Sequence, residues 1–243
     1  MKILLLGGTG EARSLAAALA VEPGVHVVSS LAGRTTDARL PVGEVRQGGF
    51  GGADGLVYWL RDNAVDAIVD ATHPFAATMT AHAVAAARAV DVPLLVLRRP
   101  GWTPGSDDVW HWVDSADAAA RLLPIFGSRA FLTIGRQGLS AFASAAIWML
   151  ARCVDPPEPV PTWCELILDR GPYDVDGELR LMRQHRIDVL VTKDSGGPQT
   201  SAKLIAAREL GVPVVVISRP PLPSGVEPVD SVDRVVEWVR ARR

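Results

Sequence analysis

The chain has 243 residues, 48% of them hydrophobic and 21% charged, with a formal net charge of -2. That is enough for one large core or two smaller ones, and it excludes a disordered or fibrous protein. With 25 basic against 27 acidic side chains there is no global field to hold nucleic acid or an anionic membrane, so any anion site must be local.

The opening "MKILLLGG" reads as a short apolar strand that stops at Gly7, below the roughly 7–15 apolar residues of a signal peptide or the ~20 of a membrane span. Residence in the cytoplasm is expected. The strand runs into a glycine turn, Gly8-Thr9-Gly10-Glu11-Ala12-Arg13, and then the helical "EARSLAAALA". Gly8 and Gly10 suit the tight turn and close backbone approach that a pyrophosphate needs, and the new helix aims its free N–H groups at the anion. Arg13 stands where a third glycine would let helix and strand pack closely. A plain strand-to-helix turn is the alternative.

The second strand, "VHVVSSL", ends on Ser29 and Ser30 and is followed by Arg34, with no acid before Asp37. An acid there selects NAD, whereas small polar groups and a cation suit the extra phosphate, so NADP is expected. A solvated loop charge is the other reading of Arg34. "GGFGG", with Gly49 and Phe50, is either a loop where ligand meets backbone or a flexible connection. "AIVDA" leads into "DATHPFA", placing Thr72 and His73 at a strand end with Pro74 expected in the first turn of the following helix. Thr72 or His73 either caps that helix or faces a ligand, His73 then binding a carboxylate or donating a proton.

After the helical "AATMTAHAVAAARAV" and the strand "PLLVLRR", which carries Arg99, comes "RPGWTPGSDDVWHWVDSADAA". It reads as the connection between two halves, with Trp110 and Trp112 on one face of a short strand and His111 on the other. The second half repeats the first: "GLVYWLRDNAVDAIVDATHP" lies on "GELRLMRQHRIDVLVTKDSG", pairing Asp66 with Asp188, and "VPLLVLRRP" lies on "VPVVVISRP". Shared α/β grammar alone also yields such matches, but duplication is the better reading. "VTKDSGGP" gathers Lys193, Ser195, Gly196 and Gly197 at a strand end, a cradle for carboxylate or phosphate, with a plain turn as the alternative. Arg136 follows the first strand of this half, Lys203 lies one to two helical turns past the cradle, and Arg170 is either a surface charge or a lid residue. Cys153 and Cys164 bracket a proline-rich stretch without zinc-ligand spacing, so no metal site is expected.

Apolar strands alternating with helices imply an α/β protein of two Rossmann-like, doubly wound parallel-sheet domains related by a pseudo-repeat, with ligands expected in a cleft between them, at the carboxyl ends of both sheets. The expected division is 1–105 for the nucleotide and 106–243 for the substrate.

"GGTGEAR", "AGRT", "RQGGFGG", "DATHPFA", "RRPGW", "RGPYDVDGE" and "VTKDSGG" occur in that order, and through them the chain resembles the precorrin-6A reductases of cobalamin biosynthesis from Gly7 to Pro220. The resemblance implies NADPH-dependent reduction of one double bond of precorrin-6A to give precorrin-6B, and it makes Arg13 part of the family's own turn. NADPH is then expected on Gly8, Thr9, Gly10, Glu11, Ala12, Arg13, Ser30, Arg34, Gly49, Phe50, Thr72 and His73. The carboxylates of a tetrapyrrole fit Arg99, Arg136, Arg170, Lys193, Ser195, Gly196, Gly197 and Lys203. No residue stands out in the sequence as the acid that completes the reduction. The expected partner is a small tetrapyrrole, with transient contact to neighbouring pathway enzymes, no nucleic acid and no membrane. A cobalt-precorrin-6A reductase and a non-enzymatic NADP(H)-sensing module are the rival readings, and a methyltransferase is weaker.

Overall fold

The computed structural model describes residues 1–33 and 39–243. In chain order the elements are β1 (Lys2–Leu6), α1 (Gly10–Ala20), β2 (His26–Leu31), β3 (Glu44–Gln47), α2 (Gly52–Asp62), β4 (Ala67–Asp70), α3 (Ala77–Val90), β5 (Leu94–Leu97), β6 (Trp110–Val113) and α4 (Ala116–Phe126). They continue with β7 (Arg129–Thr133), a 3-10 helix (Arg136–Phe142), β8 (Trp148–Cys153), β9 (Glu165–Leu168), α5 (Val175–Gln184), β10 (Val189–Lys193), a 3-10 turn (Pro198–Thr200), α6 (Ala202–Leu210), β11 (Val214–Ile217), β12 (Pro228–Val229) and α7 (Val232–Arg240).

Two six-stranded sheets result, ordered β12-β5-β4-β1-β2-β3 and β6-β11-β10-β7-β8-β9, and every recorded pairing is parallel. In β1 the two-residue period sends Ile3 and Leu5 toward Leu15 and Leu19 of α1 and Val235 and Val239 of α7. Leu4 and Leu6 go the other way, onto Leu56 and Leu60 of α2 and the alanines of α3. All four strand residues are fully or almost fully buried, each contributing about 1.5–3 kcal/mol, which is why the strand is apolar throughout rather than alternating. The second sheet buries Phe131, Leu190 and Val216 under Leu179, Met182 and Leu204 of α5 and α6.

The repeat extends to backbone detail. Asp66 accepts from the Lys2 N–H, as Asp188 does from those of Ser128 and Arg129, so each carboxylate ties the start of its half's first strand. Ala64 and Arg186 share a positive φ of 48° and 50°, and Asp91 and Gly211 share 56° and 65°.

The domain boundary differs from the expected 105/106. The compact units are Met1–Arg99 with Pro220–Arg243, and Pro100–Arg219. The cause is the sixth strand of each sheet. β12 pairs with β5 through Pro228–Val96 and Val229–Leu97, whereas β6 pairs with β11 through Trp110–Val214 to Val113–Ile217. Each repeat thus lends its last strand and helix to the other's sheet. The connection expected over 99–119 therefore contains β6 and the start of α4, with Trp110 and Trp112 edge-to-face at 5.9 Å and His111 4.6 Å from Phe126. A sequence echo marks the exchange: "VDSAD" (113–117) and "VDSVD" (229–233), in which Ser115 and Ser231 cap α4 and α7 by accepting from the Ala118 and Arg234 N–H groups.

Candidate active site

In the first unit, β1 ends in the glycine turn. Gly8 has φ +112°, which only glycine adopts without strain, and a methyl group there would project into open space. Thr9 is buried, accepts from the Ala12 N–H at 3.0 Å and donates to the Ala71 carbonyl at 2.8 Å. It caps α1 and ties the turn to the loop after β4, so Gly10 opens the helix with first-turn N–H groups unused by the helix ladder. The close approach expected of a third glycine occurs one residue earlier than Arg13. A Cβ on Gly7 would meet the Ala12 Cβ at 3.4 Å, so the small pair Gly7 and Ala12 makes the helix-to-strand contact and Arg13 is left half-buried. Glu11 puts a carboxylate in this first turn, where it would repel a phosphate, but Arg99 holds it at 2.6 Å. Arg99, expected among the substrate ligands, thus sits in the first unit beside the glycine turn.

Beside the turn is a small cavity lined by Gly7, Gly8, Ala12, Arg13, Ser29 and Arg39. The Ser29 hydroxyl is buried there with no hydrogen-bond partner among the described residues. Ser30 accepts from Arg46 at 3.0 Å, and Arg46 also donates to the carbonyls of Gly48 and Gly49 at 2.9 and 3.0 Å while lying 3.8 Å over the Phe50 ring. Burial lowers the pKa of Arg46. The glycine loop is therefore ordered by an arginine the sequence reading passed over. Arg34 lies outside the described residues.

Asp70, 1% exposed, organises the loop after β4: it accepts from the Thr72 N–H and hydroxyl at 3.0 and 2.7 Å and from the Thr80 hydroxyl at 2.6 Å. Neither Thr72 nor His73 caps α3. The helix starts at Ala77 behind Ala76, which makes no side-chain cap, and Pro74 lies in a separate turn closed by the Ala76 N–H to the His73 carbonyl at 2.7 Å. The expectation of Pro74 in the first helical turn is corrected accordingly: three extra residues separate strand from helix.

In the second unit Lys193 ends β10, its pKa lowered by burial, and the Ser195 N–H returns to its carbonyl at 2.7 Å. Asp194, absent from the sequence-based candidates, is the centre of this loop. It is 6% exposed, pairs with Arg219 at 3.0 Å and accepts from the Trp102 N–H at 3.0 Å, while the Trp102 indole donates to the Gly197 carbonyl at 2.9 Å. Gly196, at φ +66°, leaves no room for a side chain, because a Cβ would overlap the Pro100 carbonyl and the Arg219 guanidinium. The loop is thus clamped by Trp102 and Arg219, and it leads to a 3-10 turn before α6.

Lys203, in the first turn of α6, is 5% exposed. Its neighbours are a buried ion pair of Arg152 and Glu178 at 2.6 Å, with Arg152 3.6 Å over the Tyr173 ring, and the face of Trp102 5.3 Å from its ammonium. Burial first, and the Arg152 charge second, lower the Lys203 pKa to about 7 against the opposing pull of Glu178. Arg136 opens the 3-10 helix after β7 and donates to the Pro156 carbonyl at 3.3 Å, whereas Arg170 is exposed after β9. Cys153 and Cys164 are free thiols whose pKa values burial raises. No helix among the described residues is long and apolar enough to cross a membrane.

Residues 2–240 match the family model described as precorrin-6x reductase CbiJ/CobK. A precorrin-6A reductase of Rhodococcus erythropolis is 60% identical over 240 residues, covering 98% of this chain and 97% of that protein. One from Mycobacterium tuberculosis (strain CDC 1551 / Oshkosh) is 51% identical with the same coverage. A solved structure, CobK precorrin-6A reductase, superposes with a TM-score of 0.92 at 42% identity, covering 99% of this chain and 96% of that one. With the two parallel sheets, the glycine turn and nearly the whole length accounted for, the chain belongs to the precorrin-6x reductase CbiJ/CobK family.

Proposed function

We propose that the protein reduces one double bond of precorrin-6A with NADPH as hydride donor, giving precorrin-6B in cobalamin biosynthesis. The observation that carries this reading is the full-length membership in a reductase family, with relatives at 60% and 51% identity that bear the precorrin-6A name without cobalt. NADPH fits the first unit on the donor set present: the turn at Gly8 with its positive φ, the free first-turn N–H groups of α1, and a Ser29 hydroxyl orphaned among the described residues in a cavity lined by Arg13 and Arg39. Ser29 and Ser30, with no carboxylate, end the second strand, which favours NADPH over NADH. When bound, the nicotinamide supplies hydride.

This chain's residues then divide the work. The α1 turn holds pyrophosphate, and Arg99 removes the repulsion of Glu11. In the second unit, Lys193 and the loop clamped by Asp194 and Trp102 grip ring carboxylates, with Arg136 and Arg170 as further cations. Hydride transfer needs donor and acceptor carbons in contact, so the protein's contribution is to orient cofactor and ring. An anaerobic absorbance assay tests the reading: NADPH is lost only when purified precorrin-6A is present. Faster loss with the cobalt-loaded ring makes the protein a cobalt-precorrin-6A reductase, and NADPH binding without substrate-dependent oxidation makes it a sensor.

A further inference from the structure

Asp70 closes the buried strand β4 with a carboxylate, a costly group to bury unless hydrogen bonds satisfy it. Three donors do so: the Thr72 N–H and hydroxyl on Oδ1, and the Thr80 hydroxyl on Oδ2. A carboxylate has no hydrogen to give, so the Thr72 hydroxyl gives its own to Asp70 at 2.7 Å. Its oxygen is left as an acceptor at the rim of the sheet, where Thr72 is half-buried, with no second hydrogen bond among the described residues.

This loop lies against the glycine turn. Leu6 and Asp70 are register partners at the ends of β1 and β4, and the Thr9 hydroxyl of the turn donates to the Ala71 carbonyl, one residue before Thr72. From β1 the sheet grows through β2 and β3, and from β4 it grows the opposite way through β5 and β12. Open α/β sheets take ligands in the crevice at such a reversal, so the first turn of α1 and Thr72 flank one site within the first unit. The two sides ask for opposite partners. Free N–H groups call for phosphate oxygens, whereas an acceptor whose hydrogen is already used calls for a hydroxyl or an amide N–H.

We infer that Thr72 accepts a hydrogen bond from the nicotinamide-ribose half of NADPH, through a ribose hydroxyl or the carboxamide N–H, and that Asp70 is the positioning residue that fixes this polarity. The inference rests on the NADPH reading above. NADPH carries both chemistries, acceptor phosphates in its middle and donor groups at its nicotinamide end. Because Thr9 ties the loops together, the turn suited to phosphate and the acceptor suited to a donor are held as one piece.

The test is a set of dissociation constants measured calorimetrically on the whole chain with 2',5'-ADP, 2'-phospho-ADP-ribose and NADPH. Thr72→Val keeps the shape of the side chain and removes the acceptor. It should weaken NADPH about tenfold while 2',5'-ADP, which lacks the nicotinamide half, stays within about twofold, and Thr72→Ser should recover the wild-type value. A loss already present with 2'-phospho-ADP-ribose assigns the donor as a ribose hydroxyl, and a loss seen only with NADPH assigns it as the carboxamide. Asp70→Ala should cost NADPH about as much and add little in the Thr72→Val chain. Thr80→Val, which removes a bond to Asp70 without touching Thr72, should bind NADPH as wild type does. Unchanged NADPH affinity in Thr72→Val, or equal losses for NADPH and 2',5'-ADP, overturns the contact, and losses that add up in the Asp70→Ala, Thr72→Val chain overturn the role of Asp70. Wild type that binds none of the three compounds overturns the NADPH reading itself, and this inference falls with it.

Discussion

Lys203→Met should raise stability at neutral pH and lose that advantage as the solution becomes alkaline. The folded protein holds the lysine proton with a pKa of about 7, against 10.5 for the free side chain. Below about pH 7 both folded and unfolded states are protonated, and the folded state carries the whole cost of the buried charge. At about 1.4 kcal/mol per tenfold in proton affinity, that cost is roughly 5 kcal/mol at most, and about half of it after the surroundings relax around the ammonium. Between pH 7 and 10.5 the unfolded chain binds one more proton than the folded one, so wild-type stability rises with pH and the cost fades. Methionine fills the space without a charge. In urea melts at pH 6.5, 8 and 9, the variant should exceed wild type by about 2–5 kcal/mol at pH 6.5, or some 4–20 °C in Tm at roughly 2–4 °C per kcal/mol, and the gap should narrow steadily by pH 9. A variant less stable than wild type at pH 6.5, or a gap that ignores pH, would refute the claim that the cost of burying Lys203 exceeds what Glu178 and the Trp102 face return.

Gly8→Ala should cost about 1–3 kcal/mol through its φ of +112° and weaken NADPH in a fluorescence titration, since the new methyl occupies the open space above the turn. Arg99→Met should raise the NADPH Kd about tenfold by exposing pyrophosphate to the unpaired Glu11, and Glu11→Gln in the same chain should recover most of that loss. Equal losses in single and double variants would show that Arg99 acts on something other than Glu11. Asp194→Asn should lower stability by up to about 3 kcal/mol and raise the precorrin KM while the NADPH Kd holds, because Arg219 loses its partner and the Gly196 loop its clamp. A shift in NADPH Kd of similar size would place Asp194 elsewhere in the reaction.

Most of the turn after β10 was legible in "VTKDSGG", because glycines at a strand end declare a turn whatever surrounds them. Asp194 was passed over although it sits inside that motif: a carboxylate flanked by lysine and serine looks solvated until Trp102 and Arg219, 92 and 25 residues away, fold onto it. Arg46 was missed for the same reason, since its three acceptors converge only when β2, β3 and the glycine loop meet. The third-glycine puzzle had a local answer in Ala12, but finding it required knowing which residue of α1 faces Gly7.

From residue order alone came the alternation of apolar strands and helices, the duplicated halves, the glycine turn and the family likeness, all set by local propensity and by patterns a few residues long. Tertiary structure alone decided which sheet each sixth strand joins, since "VDSAD" and "VDSVD" carry the same local signal and differ only in the partner that β11 or β5 offers across more than a hundred residues. It also turned Lys203 from one cation among several into a buried lysine with a lowered pKa, because the energy of a charge depends on the groups packed around it and those are brought together by folding.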